Sequence, residues 1–473
     1  MKLINHVRTH AMLYAILLLA ALVRLLYFFD VNEIWWDSGV YVGMAKFLWS
    51  GGSAGLWEHI RPVLWPALLG VAWWLKLNVV LFARALELGA ALVSTALVYV
   101  LARKWFSQRA AISASILWAF SAIMFSLSLH EYTELPAVTL ALAAMLALTH
   151  SRMALAGFLA GLAFLMKFPA GIFIVVLVLC LVLRKEWRAL PRFIAGFAVP
   201  VAGLLAFNQW MYGSPLGALL DAQAAITNVL GCNVLRFKPG YQYFGWMLFD
   251  NVLNAFALLG LGAAVMQRKK QYVLPVLALV IPLLYFLPMH CREYRYLVLF
   301  LPFVNIFAGH GIALAVARLE QFKPTQKYVW NTAILIMLVV SLTASLLFYV
   351  NNEPRTLDLA AEQYFRWSAN QHIDGEIWSS NPTVSVYTDQ PVQKIYYPVY
   401  AEGTATDFNG YLREHKERIG AVLLDNCGGG IICPPEDAAC EAQLEQTRSF
   451  LNENFHQVLF TQSGRCWYAI YAP

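Results

Sequence analysis

Charge is what this sequence lacks most. Only 13% of its 473 residues are Asp, Glu, Lys or Arg, against about 25% in a soluble domain. A water-soluble fold of this length cannot hide a chain that is 60% hydrophobic, and a mean hydropathy of +0.57 excludes disorder, coiled coil and collagen as well. The signatures of soluble chemistry are also missing. No HExxH occurs, and neither a Gly-rich phosphate loop nor a GxSxG stands in a strand–turn–helix context. Cysteine is sparse, with seven residues. The class that remains is an α-helical polytopic membrane protein. The formal net charge of +6 is not a nucleic-acid signal, because the positive charge lies in short loops between apolar runs.

Those runs give eleven spans, at about 11–29, 79–102, 110–128, 135–149, 153–166, 170–184, 193–210, 246–266, 272–288, 296–317 and 328–350. With the N-terminus inside, the inner loops carry 16 Lys and Arg against two acids, Glu186 and Glu320, and the outer loops carry eight of each sign. This is the positive-inside pattern. It splits 153–184 into two short helices at Lys167-Phe168-Pro169, since one long helix would place Arg184, Lys185 and Arg188 outside. The first span is read as an uncleaved anchor in the plasma membrane, because Phe28-Phe29-Asp30 is no small-residue cleavage site. Residues 62–77 are apolar, but their three Trp and two Pro suit a helix lying at the outer interface. Residues 30–78 therefore form a long first outer loop. After residue 350 the composition turns polar, with strand-like stretches at 392–399, 420–425 and 455–471. An odd span count places this α/β domain, 351–473, outside the cytoplasm. Its Cys427, Cys433, Cys440 and Cys466 are then expected as disulfides rather than a zinc site, in any of three pairings.

Ionisable residues at membrane edges are costly, so they mark candidate sites. Asp37 precedes a run with apolar residues at Val40, Tyr41, Met44, Phe47 and Leu48. That spacing predicts an amphipathic interfacial helix over 38–50, with Lys46 on its other face and a stop at Ser50-Gly51-Gly52. Asp37 is either an N-cap or a base for a substrate hydroxyl. Glu131 and Glu134 share a six-residue outer loop, and Glu134 opens the next helix. Lys167 sits at the helix break. Arg292 and Arg295, three apart before span ten, would share a helix face and suit a lipid phosphate. Arg61 is a further candidate of that kind. Arg84 and Glu87 look like a structural pair within span two.

Taken in order, these residues resemble the integral-membrane glycosyltransferases of the GT-C fold, in the branch of protein O-mannosyltransferases and lipid A aminoarabinose transferases. The resemblance rests on WDSGVYVGMAKFLWSGG around Asp37, Arg61-Pro62-Val63-Leu64-Trp65-Pro66, Glu134, GFLAGLAFLMK ending at Lys167, and Arg295-Tyr296. It covers about 1–350. Asp37 is followed by Ser38 where the protein mannosyltransferases carry an Asp-Glu pair, which leaves the acceptor open. The resemblance implies a sugar donor on polyprenyl phosphate and a hydroxyl acceptor on a glycan, lipid or protein, at the outer face of the bilayer. It implies an inverting single displacement with Asp37 as base, helped by Glu134 or Glu131. Lys167, Arg292, Arg295, Arg61 and Tyr296 would bind the lipid phosphate. No metal ligand set is apparent and no cofactor is required, and the resemblance leaves room for a divalent metal. Two other classes compete, a lipid-linked-substrate flippase or transporter and a non-catalytic membrane assembly protein. The enzyme reading requires Asp37, Glu134 and Lys167 or Arg295 to converge.

Overall fold

Long apolar segments separated by short charged loops dictate helices whose backbone bonds close within each segment. The computed structural model describes residues 2–29, 34–228, 239–289, 292–321, 326–352, 358–369, 371–395, 404–427, 430–431, 433 and 436–473. Among the described residues five helices are long and apolar enough to cross a membrane alone, at His10–Tyr27, Val79–Trp105, Trp187–Tyr212, Leu301–Glu320 and Tyr328–Asn352. Shorter apolar helices occupy Glu134–Thr149, Met153–Met166, Phe168–Leu183, Val252–Gln267 and Lys270–Phe286. Residues 110–119 and 301–313 are buried throughout and form the centre of the bundle. Outer helices present Leu18, Leu22, Ile194, Val199, Leu335 and Val339 to their surroundings, as lipid-facing surfaces do. The chain is a multi-pass membrane protein.

The break at Lys167 is present. Helix α1, Met153–Met166, ends there, Lys167 is extended, and a 3₁₀ turn at Phe168–Gly171 leads into α2, Ile172–Leu183. Pro169 cannot donate a backbone N–H and disfavours helix at the residue before it. Two breaks differ from expectation. The segment 110–128 is two helices, Gln108–Ala119 and Ala122–Leu127, with Ser121 capping the second. The segment 246–266 is interrupted at Asn251. Asp250 joins both breaks, accepting from Ser121 Oγ at 2.6 Å and from the Ile123 N–H at 3.0 Å.

In the first long loop, residues 30–78 of the sequence reading, helix α3 covers Trp36–Ser50 and helix α4 covers Leu64–Trp74. Helix α3 ends where expected, with Gly51 in the left-handed conformation. It is not an amphipathic helix with one wet face, because residues 37–46 are buried on every side. The polar face is covered by the tail. Lys46 donates to the carbonyls of Val386 at 2.9 Å and Thr388 at 2.8 Å and pairs with Asp389 at 3.0 Å. Gly39 and Gly43 permit the approach: a Cβ on Gly39 would lie 2.8 Å from the Thr383 nitrogen, and one on Gly43 2.4 Å from Ser385 Oγ.

The tail holds a five-stranded sheet, β1 Glu376–Ser379, β2 Val392–Lys394, β3 Ile419–Asp425, β4 His456–Ser463 and β5 Cys466–Ala472, in the order β2-β1-β3-β5-β4. Strand β1 runs parallel to β2 and β3, and β5 antiparallel to β3 and β4. The expected strands at 420–425 and 455–471 are there, the latter as a hairpin. Strand β1 is too short to show a pattern in sequence, and much of the expected 392–399 strand lies outside the described residues. Cys427 bonds Cys466 and Cys433 bonds Cys440, so the four tail cysteines are disulfides. Cys232 and Cys291 lie outside the described residues. The tail is fastened to the first long loop through backbone bonds. The Gly55 N–H donates to the Gln390 carbonyl at 3.0 Å, and the Val392 N–H to the Gly55 carbonyl at 2.7 Å. Val40, Met44 and Leu56 share one hydrophobic cluster with Tyr364, Ile377, Val384 and Leu423. First loop and tail therefore have a common core.

Candidate active site at the outer-loop charge cluster

Asp37 lies in the first turn of α3, whose cap is Trp35 without a side-chain bond. The N-cap reading is therefore incorrect, and the carboxylate is turned to other partners. Arg61 Nη2 meets Asp37 Oδ1 at 2.8 Å, and Arg295 Nη1 pairs with Asp37 Oδ2. Arg61 also bonds Glu58 through Nε at 2.5 Å, and Arg295 Nε lies 2.5 Å from Glu293 and 3.7 Å from Glu134. Lys167 Nζ donates to Glu134 Oε1 at 2.8 Å. Seven charged side chains from four separate segments thus meet. Asp37, Glu134 and Lys167 are buried, and the arginines nearly so.

Local structure aims each group. Glu134 is the first residue of its helix, where a carboxylate faces orphan N–H groups and the positive end of the dipole; its Oε2 accepts from the Thr133 N–H at 3.1 Å. The extended backbone at Lys167 releases its side chain from the helix, and Tyr296 gives both cations an aromatic face, with Lys167 Nζ 5.4 Å and Arg295 Cζ 5.7 Å from its ring centroid. Tyr132 offers Arg295 a second ring at 5.4 Å. Burial alone would raise the Asp37 pKa. The charges of Arg295 and then Arg61, with the Arg295 hydrogen bond and the charge of Lys167, outweigh it and hold the carboxyl well below the usual carboxylate range.

Three expectations fail here. Glu131 is turned away from Asp37 and bonds Arg84 Nε at 3.0 Å, with Arg84 also donating to the Phe28 carbonyl. Arg84 therefore pairs across helices with Glu131, not along its own helix with Glu87. Arg292 and Arg295 do not share a helix face, because Glu293 is extended and the following turn, Tyr294–Leu299, is 3₁₀. Arg292 instead donates to the Leu287 carbonyl at 2.9 Å. Two residues were missed. Glu58 stands at i,i+3 from Arg61, a spacing that could have flagged it. Lys394 reaches the cluster from β2, with Nζ 3.7 Å from Glu58 Oε1. A polar residue in a short strand carries no such signal. Among the described residues no group of three or more His, Cys, Asp or Glu is placed to hold a metal ion.

Comparison with known proteins bears on the fold. A profile of the dolichyl-phosphate-mannose-protein mannosyltransferase family matches residues 62–212. No curated protein sequence matches. The crystal structure of ArnT from Cupriavidus metallidurans bound to undecaprenyl phosphate is similar at 13% identity, with a TM-score of 0.67 over 98% of both chains. Archaeal oligosaccharyltransferase AglB from Archaeoglobus fulgidus, in complex with an inhibitory peptide and a dolichol-phosphate, is similar at 10% identity and a TM-score of 0.61, over 89% of this chain and 70% of that one. Arabinofuranosyltransferase AftD from Mycobacteria is similar at 14% identity and a TM-score of 0.57, over 98% of this chain and 41% of that one. These are GT-C folds, and this chain has the same fold. The match to ArnT includes the tail, so the likeness extends beyond residue 350.

Proposed function

We propose that this protein is a GT-C glycosyltransferase that moves a sugar from a polyprenyl-phosphate donor to a hydroxyl acceptor at the outer membrane face. The observation that carries the reading is the convergence of Asp37, Arg61, Arg295, Glu134 and Lys167. Neither a flippase nor an assembly protein needs that arrangement. The fold and the lipid phosphates bound by ArnT and AglB support the donor class, and the disulfides support a tail on the oxidising side. That side agrees with eleven spans and a cytoplasmic N-terminus.

In the reaction the acceptor oxygen attacks the anomeric carbon while Asp37 takes its proton. The bond from that carbon to the phosphate oxygen breaks, and polyprenyl phosphate leaves with the electron pair. The anomeric centre inverts. Lys167 and Arg295 stabilise the charge on the departing phosphate, an electrostatic task best done by groups already fixed in a water-poor site. Asp37 held between two guanidinium groups is a weak base. A donor phosphate competes for the same cations, and drawing Arg295 toward itself raises the basicity of Asp37 at the moment the acceptor proton must leave. Glu134 keeps Lys167 in place and orients the acceptor.

The test is incubation of the purified protein with radiolabelled polyprenyl-phosphate sugars and membrane acceptors, with and without divalent metal. Transfer from at least one donor, with inverted anomeric configuration, is expected. No transfer from any donor, despite tight binding of undecaprenyl phosphate, would favour the flippase.

A further inference from the structure

Strand β2 is the only described part of the tail that sends a charged side chain into the membrane-edge cluster. Its backbone is fixed on both sides. Ser379 and Lys394 are register partners in the β1–β2 ladder, the Ile395 N–H donates to the Ser379 carbonyl at 2.8 Å, and the Val392 N–H donates to Gly55. From that anchored position Lys394 runs inward until its side chain is only 3% exposed. Its ammonium lies 3.7 Å from Glu58 Oε1 and 3.4 Å from the centroid of the Trp36 ring. Glu58 is the second carboxylate on Arg61, and Trp36 is the neighbour of Asp37. One lysine therefore touches both residues that flank the Arg61–Asp37 pair.

We propose that Lys394 is a positioning residue of the transfer site, and that its charge divides Arg61 between Glu58 and Asp37. The inference rests on the glycosyltransferase reading above. Arg61 is shared by two carboxylates, and its position depends on how strongly each pulls. Lys394 neutralises part of the Glu58 charge, which leaves the guanidinium to Asp37. Without that charge Arg61 moves toward Glu58, and the carboxylate that must take the acceptor proton loses one of its two anchors. Lys394 pins the Trp36 ring at the same time, and with it the first turn of α3. The tail then completes the site, which accounts for the core it shares with the first outer loop. Burial pushes the Lys394 pKa down to about 7, against the raising influence of Glu58; Arg61 lowers it and Asp37 raises it. The positioning charge is therefore lost as pH rises through neutrality.

The test compares Lys394→Met and Lys394→Arg with the parent protein in detergent. Three quantities are read: kcat with an active donor across pH 6–9, the Kd of undecaprenyl phosphate, and melting temperature against pH. Lys394→Met should lower kcat about tenfold and leave the lipid Kd within about twofold, because Lys167 and Arg295 are untouched. Lys394→Arg should restore most of the turnover and abolish the alkaline limb expected of the parent near pH 7. A lysine whose pKa falls on folding adds stability as pH rises from about 7 toward its unfolded value, so the parent's melting temperature should rise over that window and that of Lys394→Met should not. Unchanged kcat in Lys394→Met overturns the positioning role. So does a joint loss of kcat, lipid affinity and melting temperature that Lys394→Arg fails to recover, which is the result for a merely structural lysine. If the parent transfers sugar from no donor, the glycosyltransferase reading fails and takes the positioning role with it. The melting-temperature slope then still reports whether the Lys394–Glu58 contact exists.

Discussion

Asp37 and Asp425 are both buried carboxylates outside the spans, 7% and 0% exposed, and their surroundings push them in opposite directions. Asp37 is gripped by two guanidinium groups and held well below the carboxylate range. Asp425 is surrounded by neutral donors only: the Cys427 N–H at 3.0 Å, Ser380 Oγ at 3.2 Å, Asn381 Nδ2 at 3.4 Å and Tyr364 Oη at 3.3 Å. Burial raises its pKa to about 7, and these hydrogen bonds, Cys427 first, only partly offset that rise. Neutral donors tie the loop after β1 to the end of β3, and any hydrogen-bonding side chain could take part. Opposed charges from distant segments serve no such local need. Ionised groups are costly to bury unless paired, and the function proposed above brings a charged substrate group among them. The contrast separates a carboxylate that fastens a loop from one to which the proposal gives a part in the chemistry.

The sharpest way to break the comparison is Asp37→Asn. Asparagine keeps the shape and one acceptor oxygen but cannot take a proton. General-base catalysis is worth about 10²–10⁴-fold, and turnover should fall by that order while undecaprenyl phosphate binding persists. Near-normal transfer would remove Asp37 from the chemistry.

Asp425→Asn should do the reverse, leaving turnover alone and altering stability. The folded pKa of about 7 lies above the unfolded value. Stability is therefore fully present below the unfolded pKa and is lost as pH rises through about 7, by on the order of 4 kcal/mol. Asparagine resembles the protonated acid, so the variant should lose this pH dependence and melt higher than the parent at pH 8. Melting curves from pH 4 to 8 check it. A parent whose stability is flat over that range would show that Asp425 is ionised throughout, and the contrast with Asp37 would collapse.

Lys167→Met and Arg295→Met come next. Phosphate charge is present in donor and transition state alike, so these variants should lose both lipid affinity and rate, each about 10- to 100-fold. Loss of rate with undiminished affinity would place the lipid phosphate elsewhere.

Much of this arrangement was legible in sequence, for identifiable reasons. The apolar helices follow from hydropathy, and the break at Lys167 from Pro169 and the positive-inside rule. Asp37, Arg61, Glu134, Lys167 and Arg295 stood out because ionisable residues are rare at membrane edges. The breaks at Ser121 and Asn251 were not legible, because Asp250, the partner that stabilises the first, lies 129 residues from Ser121. Periodicity also misread α3. Lys46 on a helix otherwise apolar looks like a solvent-facing residue, yet it is buried under backbone carbonyls 340 residues away. Lys394 escaped for the same reason, since its meaning lies in a contact between loop and tail, whereas Glu58 carried a local signal in its i,i+3 spacing from Arg61. Local pattern reports which residues are costly to bury, and only the folded chain shows what compensates each one.

The smallest effect is expected at Glu131, which shares an outer loop with Glu134 and was a candidate for the same role. It is almost fully buried, its Oε1 accepts from Arg84, and its Oε2 has no hydrogen-bond partner among the described residues. Glu131→Gln keeps an oxygen for Arg84 and places an amide nitrogen where no bond is lost. It does remove the charge from a buried ion pair, which destabilises, so the melting temperature should drop. The pair with Arg84 ties this loop to the helix Val79–Trp105 and does not reach Asp37, so turnover per folded molecule should stay within about threefold of the parent, roughly 0.6 kcal/mol of barrier. Glu134→Gln is the matched control, since it weakens the hold on Lys167 and should lower turnover well beyond that. If Glu131→Gln were the more damaging of the two, the proton would pass through the Arg84 side of the loop, and the division drawn between fastening and reacting carboxylates would have to be redrawn there.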